Sequence, residues 1–89
     1  MAYVRNMHDT SDLKPIGLYN SWQELWESKK KRKFSRCSCV GCTKPAEVGA
    51  HVRDVYRNGV KYITPLCRTC NHFTNTDTFE VNDSDLLPI

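Results

Sequence analysis

No stretch of this sequence approaches the roughly 18 consecutive apolar residues of a membrane-spanning helix, which excludes a helical span. The first fifteen residues hold Arg5, His8, Asp9 and Asp12 and no apolar block, so a secretory signal is not expected either. Apolar residues are scarce throughout, at 39% of the chain, against about 45–50% in an ordinary globular domain. With 89 residues there is room for one domain, which excludes an enzyme carrying a separate substrate domain. A core drawn from so short and so polar a chain is thin and calls for a staple. There is no internal repeat or low-complexity segment.

What the chain does have is five cysteines. An odd count without an export signal points to reduced thiols in a cytoplasmic setting, or a nuclear one in a eukaryote, and to metal binding rather than disulfides. Cys39 and Cys42 form one CxxC and Cys67 and Cys70 a second, with 24 residues between them. That interval is slightly longer than the usual span of a paired zinc site and suits an inserted hairpin. A two-residue gap lets both sulfurs turn to one ion at about 2.3 Å, and four thiolates leave no coordination position open for chemistry. The expected ligands of a structural Zn2+ are therefore Cys39, Cys42, Cys67 and Cys70. Cys37 is left over, to replace Cys39, to pack as a small apolar residue, or to exchange with its neighbour.

Along the chain, residues 1–19 show no apolar period and read as an arm punctuated by Pro15 and Gly17. Ser21-Trp22-Gln23-Glu24 matches a capping box and opens a helix expected over 21–33. Trp22, Leu25, Trp26, Lys29 and Lys33 share a face of that helix, apolar for two turns and basic after. A thiol-bearing turn with Gly41 follows. Two β-type runs, about 47–55 and 60–64, flank Arg57-Asn58-Gly59, whose Asn-Gly pair is a strong hairpin signal. Pro65 is expected to close the second strand, and Cys67 to begin a short helix reaching about Asn75. The tail, with Phe79, Val81, Leu86, Leu87 and Ile89, reads as a closing strand.

Cys39-Val-Gly-Cys42, then Gly49-Ala50-His51-Val52, then Pro65-Leu66-Cys67-Arg68-Thr69-Cys70-Asn71 resemble, in that order, the treble-clef zinc finger and more specifically its HNH endonuclease group. The resemblance covers about residues 37–75. It implies a zinc knuckle, hairpin and short helix at 37–76 and leaves both ends unexplained; with the capped helix read above, the expectation is a single small α+β domain over residues 20–89. The resemblance also implies that His51 matches the general base and Asn71 the ligand position for a catalytic divalent ion such as Mg2+. Two roles of the group are missing: Ala50 stands where a metal-ligating side chain is usual, and Tyr62 where an orienting asparagine sits in many members. His72 or Asn75 could stand in as a ligand from the helix, but a site of imidazole and amide alone holds a magnesium-type ion poorly.

Charge is uneven, with nine basic against four acidic residues over 1–44 (net +5) and four against six over 45–89 (net −2). Lys29, Lys30, Lys31, Arg32 and Lys33 complement a helix C-terminus and, beside a module whose relatives handle DNA, offer contacts to phosphates. The sequence therefore predicts a zinc-stabilised nucleic-acid-binding or adaptor module without catalysis, with DNA ahead of RNA as partner. A divergent endonuclease using His51 and a purely protein-binding module are the alternatives.

Overall fold

The computed structural model describes residues 1–7, 19–72 and 75–89. The chain builds strand β1 (Ala2–Asn6), helix α1 (Trp22–Lys30), strands β2 (Val48–Asp54) and β3 (Lys61–Leu66), a one-turn helix α2 (Arg68–Asn71), strand β4 (Thr78–Val81), a 3-10 turn (Asp83–Asp85) and a short strand β5 (Leu87–Pro88). The strands form one antiparallel sheet in the order β4-β1-β2-β3-β5, which makes the domain α+β.

The N-terminal arm corrects the sequence reading, because its first residues are a strand in the interior of the sheet. Ala2, Val4 and Asn6 are buried while Tyr3 and Arg5 are exposed, a period of two concealed by the polar Asn6. Residues 8–18, with Pro15 and Gly17, lie outside the described residues.

Helix α1 is capped by Ser21 as expected: the Glu24 N–H donates to Ser21 Oγ at 3.1 Å. It stops at Lys30, three residues short of expectation, where Lys31 turns left-handed (φ 58°) and its N–H bonds Glu27 O. The exit is pinned by the Glu27 carboxylate, which accepts the Phe34 N–H at 2.8 Å. That bond, chiefly, holds the Glu27 carboxyl below its usual pKa.

The hairpin forms as read. Asn58 (φ 53°) and Gly59 (φ 70°) both take positive φ, and the Val60 N–H returns to Arg57 O at 3.1 Å. Pro65 does not end β3, which runs on to Leu66. Here β5 pairs only with Tyr62 and Ile63, so Pro65 has no paired strand on that side and its missing N–H costs no ladder bond.

Residues directly opposite in the sheet share a face. On one face lie Ala2, Val4, Ala50, Val52, Tyr62, Leu66 and Val81, packed against Cys37 and Cys67 in a single apolar cluster. On the other, α1 sits on Gly49, His51 and Ile63. Gly49 makes that approach possible, since a Cβ there would come within 2.9 Å of the Trp22 and Gln23 backbone. Trp26 is fully buried, donates its indole N–H to Asp85 O at 2.9 Å, and lies between Phe34 and the Arg32 guanidinium. No helix among the described residues is long and apolar enough to cross a membrane.

Candidate metal centre

Four sulfurs, from Cys37, Cys42, Cys67 and Cys70, lie within 4.8 Å of one another. A tetrahedral ion with metal–sulfur bonds near 2.3 Å sets its sulfurs about 3.8 Å apart, so the four fit one ion with small adjustments. Cys42 and Cys67 already stand at 3.9 Å. Two of the thiols come from the loop before the hairpin and two from the turn and helix after it.

The first pair is carried by a loop tied to the sheet at several points. Arg36 bridges Pro45, the Cys37 N–H donates to Lys44 O at 2.9 Å, and the Ser38 N–H donates to Pro65 O at 2.8 Å. Gly41 (φ 90°) supplies the left-handed turn that brings Cys42 back, with its N–H on Cys39 O at 3.0 Å. The second pair is carried by α2. Cys67 caps it, accepting the Cys70 N–H on Sγ at 3.4 Å. The Cys70 carbonyl receives two side-chain amides at 2.7 Å, from Asn6 of β1 and from Asn75.

The expected ligand set is corrected at one position. Cys37, not Cys39, joins Cys42, Cys67 and Cys70. Cys37 is 3% exposed and turned into the core, whereas Cys39 bridges Val81 on the far strand β4, is half-buried, and has its thiol directed to Val40 O at 3.9 Å. Its sulfur still lies beside Cys70, whose thiol it can hydrogen-bond.

Burial pushes the Cys37 thiol up to about 11, and it raises Cys39 and Cys70 as well. At Cys67 burial acts in the same direction, but hydrogen bonds from the Cys70 backbone and the neighbouring thiols outweigh it and the net shift is downward. A cation among four such sulfurs reverses this logic, since it binds the thiolates and releases their protons.

The residues expected to carry catalysis are not brought together. His51 lies on the α1 face, 7% exposed, with its ring edge-on to Trp22 at 4.5 Å. Its Nε2 is buried with no hydrogen-bond partner among the described residues, and burial lowers its pKa, which favours the neutral ring. Asn71 ends α2 on the thiol face, and His72, its C-cap, is exposed. Ala50 and Tyr62 are core residues of that same face. The helix expected to reach Asn75 has one turn, and residues 73 and 74 lie outside the described residues.

The basic run divides as well. Arg32 is spent on the fold, pairing with Asp85 Oδ1 at 2.6 Å and covering Trp26, while Lys33 pairs with Glu27 at 3.7 Å. Lys29 and Lys31 are exposed and Lys30 is half-buried. Asp85, which the sequence reading passed over, also takes the Ser38 hydroxyl on Oδ2 at 2.8 Å and so joins the thiol loop to the α1 side. Only the polar side chain and the non-local partner reveal it, and neither follows a local period.

No protein-family model, no curated protein and no solved structure matches this chain.

Proposed function

We propose that the chain is a zinc-stabilised nucleic-acid-binding module without catalysis of its own. The observation that carries this reading is the placement of the four thiols: they are gathered against the core as a complete soft-donor set, which favours a closed tetrahedral Zn2+ and supports a role for the ion in the fold rather than in a reaction. The finer fold reading is a treble-clef finger, since the thiols come from a knuckle ahead of the β2–β3 hairpin and from the start of α2 behind it. Strands β1, β4 and β5 extend that unit into a larger sheet. Separation of His51 from Asn71 across the sheet supports the absence of HNH chemistry, because a general base must reach the proton it removes. The work is then left to the exterior, where unspent basic side chains offer contacts to phosphates.

The test is the binding of zinc-loaded protein to labelled oligonucleotides across a salt series. Affinity should fall linearly on logarithmic axes, and no binding at low salt would contradict the reading. In parallel, supercoiled plasmid with excess Mg2+ or Mn2+ should show equal background nicking with wild type and His51→Ala. Nicking that depends on His51 would favour the divergent nuclease.

A further inference from the structure

Beyond the part of the sheet that α1 covers, the same face carries a row of like charges. Arg5 of β1 lies directly opposite Arg53 of β2, and Arg53 directly opposite Lys61 of β3. All three are exposed. Directly opposed residues of an antiparallel pair have Cβ atoms about 4.5–5.5 Å apart, and like charges placed so destabilise a sheet. Nothing in the packing of the described residues explains the row. Arg32, Lys33, Arg57 and Arg68 each have a carboxylate partner, whereas Arg5, Arg53 and Lys61 enter no ion pair among the described residues. Arg5 makes a single long bond, to Thr78 Oγ1 at 3.4 Å.

Aromatic rings stand at one end of the row. Tyr3 is two residues before Arg5 on β1 and therefore on its face, 44% exposed, and Tyr56 of the hairpin loop, 77% exposed, meets it edge-on at 5.7 Å. A shallow hollow of about 210 Å³ runs beside the charges, lined by Arg5, Arg53, Asp54, Val55 and Gly59. The Asp54 carboxylate does not neutralise the row: it accepts the Tyr56 N–H at 2.8 Å, pairs with Arg57 at 3.6 Å, and is buried. Among the described residues, Glu80, opposite Tyr3 on β4, is the one acid directly paired with a residue of this strip, and it is half-buried.

We propose that this strip binds single-stranded nucleic acid, with Arg5, Arg53 and Lys61 on phosphates and the rings of Tyr56 and Tyr3 against bases. The inference rests on the nucleic-acid reading above and moves its interface from the end of α1 to the sheet. A single strand is favoured because an exposed ring gains a stacking partner only from unpaired bases, which a duplex conceals. RNA and DNA single strands share this chemistry.

The experiment is fluorescence anisotropy of the zinc-loaded full chain with labelled dT20, U20 and a 20-base-pair duplex at 50–200 mM salt. Three phosphate contacts on a single strand give a slope of about −2 on logarithmic axes, or about a 20-fold loss of affinity over that range. The variant Arg5→Gln/Arg53→Gln/Lys61→Gln should lose most of the slope, and Tyr56→Ala should weaken binding about 10-fold with the slope unchanged. The row variant should fold at least as stably as wild type, since it removes like-charge pairs, and this separates lost binding from lost structure. Lys29→Gln/Lys30→Gln/Lys31→Gln should bind as wild type does. Binding by wild type that survives in the row variant would overturn the inference while leaving the nucleic-acid reading intact. Tighter binding to the duplex would overturn the single-strand assignment, and no binding of any oligonucleotide by wild type would overturn both.

Discussion

On one face of the sheet, a helix with a satisfied N-cap carries a fully buried Trp26 and closes over Gly49; on the other, a loop and a single helical turn bring four sulfurs together. The helix side is held by ordinary means, an indole with its N–H satisfied, a T-shaped ring contact to Phe34 and an arginine stacked above. On the thiol side the loop 37–42 has no regular ladder of its own and α2 has four residues, too few to stand as an isolated helix. In so short and polar a chain, one face of the sheet is held by ordinary packing and capping while the irregular segments on the other depend on a ligand, and the sheet between them needs both.

Metal removal is the sharpest way to break the comparison. Structural zinc contributes on the order of 10–16 kcal/mol at neutral pH, which exceeds the few kcal/mol a core of this size supplies. A chelated sample should lose amide dispersion throughout the sheet, because Leu66, Val81 and Ala50 share one apolar cluster with the cysteines. Acid should act in the same direction: protons compete for the thiolates, so stability should fall as pH is lowered and metal is released. A dispersed native spectrum after chelation would show that the thiol side does not depend on an ion.

Trp26→Ala strikes the other side and should cost about 3–5 kcal/mol, the usual range for emptying a large buried aromatic site. The metal-loaded variant should remain folded, with a lowered midpoint in denaturant, since the ion's contribution is larger. Asp85→Ala addresses the link between the two sides. It leaves the buried Ser38 hydroxyl and the Arg32 guanidinium without their carboxylate, and about 2–3 kcal/mol should be lost. A double mutant of Asp85→Ala with Ser38→Ala should show coupling, as residues in direct contact do.

How much of this was legible in the sequence depended on how local each cause is. The Ser21 cap and the Asn58-Gly59 turn were read correctly because the residues that set them lie within four positions of one another. Strand β1 was missed because its alternation ends in Asn6, a polar residue buried only because its amide reaches Cys70 O across 64 positions. His51 was matched to a general base by its neighbours in sequence, but its burial depends on where α1 lands, and that is decided at Gly49. The two CxxC pairs correctly announced a four-thiol site and misassigned one member of it. The choice between Cys37 and Cys39 follows from the pairing of residues 36–37 with 44–45 and of Cys39 with Val81, neither of which spacing reveals.

That choice is also where the account is most exposed. Cadmium-113 substituted for zinc couples through the bonded sulfur to the β-protons of each ligating cysteine, so a cadmium–proton correlation spectrum names the ligands directly. Correlations to Cys37, Cys42, Cys67 and Cys70, with none to Cys39, are the expected result. Correlations to Cys39 in place of Cys37, or fewer than four ligating cysteines, would contradict the site described here.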